Sequence, residues 1–186
     1  HSSVAIAGLG GLGSNIAMYL ARAGVGHLHL VDFDKVDITN LNRQQYDIAD
    51  LGTLKTDALT KNIKRFNPFI EITSQCVKVN EDNAAEIFGG YKIVCEAFDK
   101  AENKAMLVNS ILSECGDTKI VSGSGMAGFG SSNTIVTRKI NDRFYLCGDT
   151  KSDMNDGLAL AAPRVAICAA HEANMILRLL IGEKEV

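Results

Sequence analysis

Val4-Ala5-Ile6-Ala7-Gly8-Leu9-Gly10-Gly11-Leu12-Gly13 is the stretch that decides the fold of this 186-residue sequence. The apolar run at its start predicts a buried strand, and helical spacing follows from Gly11 to Ala23. Glycines between a strand and a helix permit a tight turn and let backbone amides approach a phosphate. We therefore expect a nucleotide to bind at Gly8, Gly10, Gly11 and Gly13. The alternative is that these glycines serve only the close packing of helix against strand.

Outward from this stretch, strand-like and helix-like segments alternate. Strands are predicted at 27–31, 70–73, 92–95 and 119–122, and helices at 53–66, 81–88 and 101–115. Segments 133–140 and 143–146 predict two strands joined by a tight turn, 148–156 is a polar loop, and 163–181 is a closing helix. The pattern predicts an α/β, Rossmann-like fold: a mostly parallel sheet with helices on both faces and an antiparallel edge pair. We expect residues 1–186 to form a single domain.

Composition excludes several classes of function. The net charge of −3 provides no basic footprint for DNA or for an anionic membrane surface. No apolar run reaches the roughly 20 residues that span a bilayer. The five cysteines include no Cys-x-x-Cys pair, so we expect no zinc, and their odd number and wide spacing favour reduced thiols in the cytoplasm.

Asp32 follows the second predicted strand, where an acidic side chain meets ribose hydroxyls in dinucleotide-type folds. A glycine loop with such an acid makes a nicotinamide oxidoreductase the default interpretation. The segment that follows, Asp32-Phe33-Asp34 and then Asn40-Leu41-Asn42-Arg43-Gln44, is not explained by that interpretation.

The charges after Asp32 suit the triphosphate of ATP. Arg43 is a fixed cationic fork for phosphate oxygens and Lys55 is a mobile point charge, while Asn40 and Gln44 can add neutral hydrogen bonds. The alternatives are that Arg43 pairs with Asp34 or Asp37 and that Lys55 is a solvated surface charge.

Asp99 follows the fourth predicted strand, at the edge where ligands bind in open α/β sheets. A carboxylate there suits Mg²⁺, which prefers oxygen and shares its coordination shell with substrate phosphates. The alternative is that Asp99 caps the helix that follows.

The motifs Gly8–Gly13, Asp32–Asp34, Asn40–Gln44, Lys55 and Asp99 together resemble the ThiF/MoeB/HesA group of the ubiquitin-activating-enzyme-like superfamily. The closest likeness is to short ThiF-like proteins of thiamine biosynthesis. The resemblance implies ATP-dependent adenylation of the C-terminal glycine carboxylate of a small ubiquitin-like sulfur carrier (ThiS-like), with release of pyrophosphate. It implies ATP and Mg²⁺ as cofactors, Arg43, Lys55 and Asp99 as catalytic residues, Asp99 as the metal ligand, Asp32 and Asp34 among the nucleotide contacts, and a homodimer.

The sequence departs from this group at several points. Many members hold a structural zinc with two Cys-x-x-Cys pairs, and some use a cysteine in the crossover loop, but residues 150–162 contain none. We interpret Cys147, just before that loop, as a plain thiol. Lys104 stands where the group often has arginine. Adenylation of a modified tRNA base and a non-catalytic partner subunit are the alternative functions.

Overall fold

A seven-stranded sheet forms the centre of the protein in a computed structural model that describes residues 2–153 and 157–186. The strands are β1 (Ser3–Ala7), β2 (His27–Val31), β3 (Glu71–Gln75), β4 (Ile93–Glu96), β5 (Lys119–Gly123), β6 (Val136–Lys139) and β7 (Phe144–Gly148). The helices are α1 (Gly11–Arg22), α2 (Lys55–Lys64), α3 (Glu81–Phe88), α4 (Ala101–Glu114) and α5 (Ala162–Leu180). Short 3-10 turns lie at Ile38–Asn40, Ile48–Asp50 and Ser132–Thr134.

The strand order is β3-β2-β1-β4-β5-β7-β6, and every neighbouring pair is parallel except β6 with β7. This confirms the predicted mostly parallel sheet with an antiparallel pair at one edge. The later strand, β7, pairs with β5, so β6 is the edge strand. Because parallel strands end at the same side, the loops after six of the strands share one edge of the sheet, called here the carboxyl edge.

Helices cover both faces of the sheet, as predicted. Alternating side chains of β1 divide the core: Val4 and Ile6 belong to the cluster that includes α1, α2 and α5, whereas Ala5 and Ala7 belong to the cluster under α3 and α4. The central strands are therefore buried on both sides, which explains why they read as continuous apolar runs rather than alternating ones.

Most element boundaries differ from the prediction by one or two residues, and two elements begin at least two residues late for local reasons. The helix predicted from Thr53 begins at Lys55, because Leu54 is extended and forms an isolated bridge with Lys35. The strand predicted from Asn133 begins at Val136, because the Ser131 hydroxyl accepts the amide of Asn133 and turns the chain first.

The closing helix agrees with the prediction to within one residue at each end, with Pro163 in its first turn. Of the loop predicted at 148–156, residues 154–156 lie outside the described part. Within 2–153 and 157–186, no helix is long and apolar enough to cross a membrane.

Candidate active site

The glycine loop lies at the carboxyl edge between β1 and α1, and two of its glycines are required by packing. Gly8 has φ +91°, and a Cβ there would lie 2.8 Å from the carbonyl oxygen of Ala97. A Cβ at Gly13 would lie 1.8 Å from the carbonyl oxygen of Gly8. For these two positions the packing alternative is therefore sufficient, and they shape the loop without needing a ligand.

Gly10 and Gly11 have a different environment. A Cβ at Gly10 would make only ordinary contact, with Nε2 of Gln44 3.8 Å away, whereas one at Gly11 would lie 3.2 Å from Cγ1 of Val165. Gly10 is the N-cap of α1, which has neither a side-chain cap nor an acidic residue in its first turn. The first amides of a helix have no intrahelical acceptor and carry partial positive charge. This end of α1 can therefore accept an anionic group such as a phosphate.

Asp32 is buried beside the loop and bonds to it. Its Oδ2 accepts the amide of Leu9 at 2.6 Å, and its Oδ1 accepts the amide of Asp34 at 2.8 Å. Burial raises the pKa of Asp32, against the opposing charge of Lys55 and the backbone amides. A carboxylate offers about four acceptor positions, so Asp32 can brace the loop and still accept a ribose hydroxyl. The bracing role was not predicted, while the ribose contact stays a prediction.

Lys55 is buried, in contrast to the solvated alternative. Its Nζ lies 2.9 Å from Oδ2 of Asp34, and the Lys55 side chain is only 7% exposed whereas that of Asp34 is 49% exposed. Asp34 therefore holds the lysine in place at the first residue of α2. The structure brings both predicted residues to the carboxyl edge, with Asp34 acting on Lys55 directly.

Arg43 and Gln44 lie over the open end of α1. A Cβ at Gly11 would lie 3.7 Å from Cδ of Arg43, whose Nη1 donates to the carbonyl of Thr39 at 3.0 Å and to Oδ1 of Asn42 at 2.8 Å. Arg43 thus forms neither of the alternative pairs with Asp34 or Asp37.

Two buried atoms of this pair lack a protein partner. Within the described residues, Nε of Arg43 and Oε1 of Gln44 are buried and make no hydrogen bond. The same is true of buried atoms elsewhere in the described residues, such as the hydroxyl of Tyr145, so this feature alone does not identify a ligand site.

Asn40 has a local role that sequence did not reveal. Its Oδ1 accepts the amide of Asp37 at 3.0 Å, closing a capping box around the 3-10 turn. The carbonyl of Asn40 then accepts the amides of Arg43 and Gln44. Asn40 therefore fixes the turn that carries those two residues, and its direct contact with a nucleotide stays a prediction.

Asp99 is exposed three residues beyond the end of β4. The N-cap of α4 is Lys100, with no side-chain cap bond, so the capping alternative is not what the structure contains. In the described ranges there is no cluster of three or more His, Cys, Asp or Glu side chains that could hold a metal. A lone exposed carboxylate fits magnesium that arrives with nucleotide phosphates, since such sites use one or two carboxylates.

Sequence reasoning missed three buried charges near this edge: Glu96, Arg164 and Glu172. Glu96 ends the apolar run of β4, and a charge inside such a run was the available signal. Arg164, at the start of α5, lies 2.5 Å from Oδ2 of Asp149, and also donates to the carbonyls of Gly130 and Ser131. This pair ties the loop after β7 to the beginning of α5.

A cavity of about 460 Å³ lies beside Arg164. Apolar side chains of Phe129 and Leu158 and the cations Arg138 and Lys151 contribute to its lining. None of the residues that line this cavity belongs to the predicted nucleotide site.

The thiols near this edge are poor nucleophiles. Cys147 and Cys168 are fully buried, and burial raises the pKa of both thiols well above the ordinary value, with the charge of Glu172 adding to the effect. The thiolate is the reactive form of cysteine. These environments agree with the interpretation of Cys147 as a plain thiol.

Comparisons with known proteins give the chain relatives over its whole length. Residues 1–186 match the sequence profile described as ThiF family. The adenylyltransferase and sulfurtransferase MOCS3 of Dictyostelium discoideum is 33% identical over 193 aligned residues, covering 100% of this chain and 44% of that protein. The adenylyltransferase and sulfurtransferase UBA4 of Scheffersomyces stipitis is 39% identical over 127 residues, 68% of this chain and 28% of that protein. The chain thus spans less than half the length of these relatives.

Solved structures with the same fold include two bound to ATP. The E. coli tRNA N6-threonylcarbamoyladenosine dehydratase TcdA in complex with ATP matches with a TM-score of 0.87 and 23% identity, over 97% of this chain and 86% of that one. E. coli MccB with ATP matches with a TM-score of 0.74 and 21% identity, over 99% of this chain and 57% of that one. At these identities the likeness establishes the fold.

Proposed function

The chain belongs to the ThiF family, and from this premise we propose that it is an adenylyltransferase acting on the C-terminal carboxylate of a small ubiquitin-like sulfur carrier. A carboxylate oxygen of the carrier attacks the α-phosphorus of ATP. The bond from that phosphorus to the bridging oxygen of the β-phosphate breaks, and pyrophosphate leaves. The products are the acyl-adenylate and pyrophosphate. Within this class we propose a ThiS-like carrier of thiamine biosynthesis and a homodimeric enzyme.

The observation that carries the proposal is the position of the Arg43 side chain beside the uncapped, acid-free N-terminus of α1. A dinucleotide site needs the glycine loop and an acid, but it does not need an added cation there. Arg43 and, at the first residue of α2, Lys55 would supply positive charge for a triphosphate whose leaving group gains charge as the reaction proceeds.

Each residue has a role that follows from its surroundings. The amides at Gly10 and Gly11 and the guanidinium of Arg43 would bind phosphate oxygens, and Asp32 would hold the ribose. Asp99 would hold magnesium, which would neutralise phosphate charge when bound. No protein nucleophile is required, because positioning and electrostatics suffice for this transfer.

We expect ATP–pyrophosphate exchange that depends on a ubiquitin-like carrier ending in Gly-Gly. The assay would use the purified protein, labelled pyrophosphate and a ThiS-like carrier, with a carrier lacking its last glycine as the control. Exchange that required tRNA instead would favour the modified-base alternative, and the net charge of −3 argues against that result. Absence of exchange with every carrier would favour a non-catalytic partner subunit.

We also expect the protein to bind ATP in preference to NAD. Arg43→Ala should lower the affinity for ATP by about tenfold to a hundredfold, as expected when a charge-assisted hydrogen bond of about 1.5–3 kcal/mol is lost. Arg65→Ala is the matched control, because Arg65 is an exposed arginine at the end of α2. Isothermal titration with both nucleotides measures the preference, and NAD that displaced ATP at equal concentration would contradict it.

A further inference from the structure

We propose that Glu96, together with Lys104 and Ser122, is a positioning group that sets where Asp99 lies relative to the glycine loop; the inference rests on the proposed adenylation. It concerns a carboxylate that is completely buried, lies at the carboxyl edge and contacts no part of the predicted nucleotide site directly.

Glu96 is bonded to the turn that carries Asp99. Oε1 of Glu96 accepts the backbone amide of Phe98 at 2.6 Å, two residues along the chain. This fixes the Ala97–Phe98 peptide, one peptide bond before the one that joins Phe98 to Asp99. Asp99 itself is exposed, so the direction of its carboxylate depends on the backbone that carries it.

Lys104 and Ser122 hold the Glu96 carboxylate in place. Nζ of Lys104 lies 3.1 Å from Oε2 and 3.3 Å from Oε1, and the Ser122 hydroxyl donates to Oε2. Lys104 is in α4 and Ser122 is in β5, so the carboxylate joins three elements around the turn. A charge buried away from water must be paired. Replacing either member of such a pair leaves the other charge buried without compensation.

The turn that carries Asp99 also contacts the end of β1 and the glycine loop. The amide of Ala97 donates to the carbonyl of Ala7 at 2.8 Å, and a Cβ at Gly8 would lie 2.8 Å from the carbonyl oxygen of Ala97. The turn and the loop therefore touch with no room for adjustment. A displacement of the turn would change the distance between Asp99 and a phosphate at α1, and small errors in such distances are costly to rate.

A purely stabilising role is the alternative explanation. Buried ion pairs are weak evidence for stability, since apolar replacements of equal size are often neutral or stabilising. The bond from Glu96 to the amide of Phe98, the residue before Asp99, is what points beyond stability. The two explanations differ in whether substitution changes the chemical step or only the melting temperature.

The test uses Glu96→Gln and Lys104→Met, with Lys104→Arg as the conservative variant. We expect the first two to lower kcat of carrier-dependent pyrophosphate exchange about tenfold to thirtyfold, while the Kd for ATP measured without magnesium changes less than threefold. Lys104→Arg should retain kcat within about threefold of wild type, because it keeps the cation. Glu114→Gln is the control: Glu114 is exposed in the last turn of α4, far along that helix from Lys104, so kcat should be unchanged.

A second readout does not need the carrier. The factor by which Mg²⁺ tightens ATP binding should fall at least threefold in Glu96→Gln, because a displaced Asp99 meets the metal less well. Folded Glu96→Gln protein with wild-type kcat and wild-type magnesium dependence would overturn the inference and leave the proposed function intact. Ser122→Ala, which removes one hydroxyl, gives the same comparison if Glu96→Gln does not fold. Wild-type protein that bound no ATP would overturn the proposed function and this inference together.

Discussion

Asp99→Ala should lower carrier-dependent pyrophosphate exchange by about a hundredfold or more, the scale on which one electrostatic contact to a transition state acts. In free energy this is about 2.7 kcal/mol. Affinity for ATP should fall much less, because Asp32 and the amides of the glycine loop still hold the nucleotide. An interaction that strengthens as pyrophosphate departs appears in the rate rather than in ground-state binding.

The structure sharpens this expectation by removing the competing explanation. Had Asp99 capped α4, its loss would have cost about 1 kcal/mol of stability. The N-cap is Lys100 and makes no side-chain cap bond, and Asp99 is exposed. The melting temperature of Asp99→Ala should therefore stay close to that of wild type.

The experiment measures kcat, the Kd for ATP and the melting temperature on the same samples. Asp99→Asn keeps the shape and removes the charge, so it should lose nearly as much rate as the alanine variant. Lys100→Ala is the neighbouring control at the true N-cap position and should leave kcat within about threefold of wild type. Exchange at close to the wild-type rate in Asp99→Ala would rule out a catalytic role.

The fold was predictable because its signals are local. Strand Val4–Ala7, the glycines and the helix from Gly11 are adjacent in sequence, and their order dictates a strand, a turn and a helix. The position of β7 inside the sheet was not predictable from its own residues. That position depends on a pairing with β5 that crosses more than twenty residues of sequence.

Residue type predicts the chemistry of a site, but tertiary neighbours decide its arrangement. Arg43 lies beside the end of α1, where a phosphate contact is possible, and that contact stays a prediction. Lysine is normally exposed, so the burial of Lys55 against Asp34 could not be read without knowing that the two side chains meet. Glu96 and Glu172 acquire their roles from partners on other strands and helices, which sequence spacing does not reveal.

Glu172 provides the second large expected effect, on stability rather than rate. It lies on α5 with no exposed surface, and its oxygens are 3.6 Å from the thiol of Cys95 on β4 and 3.8 Å from that of Cys168 on α5. Burial raises the pKa of Glu172 to about 8; the charge of Lys104 opposes this and that of Glu96 adds to it.

The sign of the pH dependence follows from this raised pKa. Between the ordinary value of 4.5 and about 8, the folded protein keeps a proton on Glu172 that the unfolded chain has released. The unfolded state therefore binds fewer protons at this group, and its contribution to the free energy of unfolding falls as pH rises through this window. At about 1.4 kcal/mol for each unit of pKa, the total loss is on the order of 5 kcal/mol.

Glu172→Gln should remove this loss, because an amide has nearly the same shape as the protonated acid and does not ionise. We expect the variant and wild type to have similar free energies of unfolding at pH 5. By pH 8 the variant should be more stable by about 3 kcal/mol. Denaturant unfolding at pH 5, 6, 7 and 8 measures the difference in free energy of unfolding between the variant and wild type. Contributions from other titrating groups cancel in this difference.

Glu114→Gln is the control, since the Glu114 side chain is exposed on α4 and water surrounds it in both states. A difference between Glu172→Gln and wild type that stayed constant from pH 5 to pH 8 would mean that Glu172 is ionised in the folded protein, with Lys104 as its true partner.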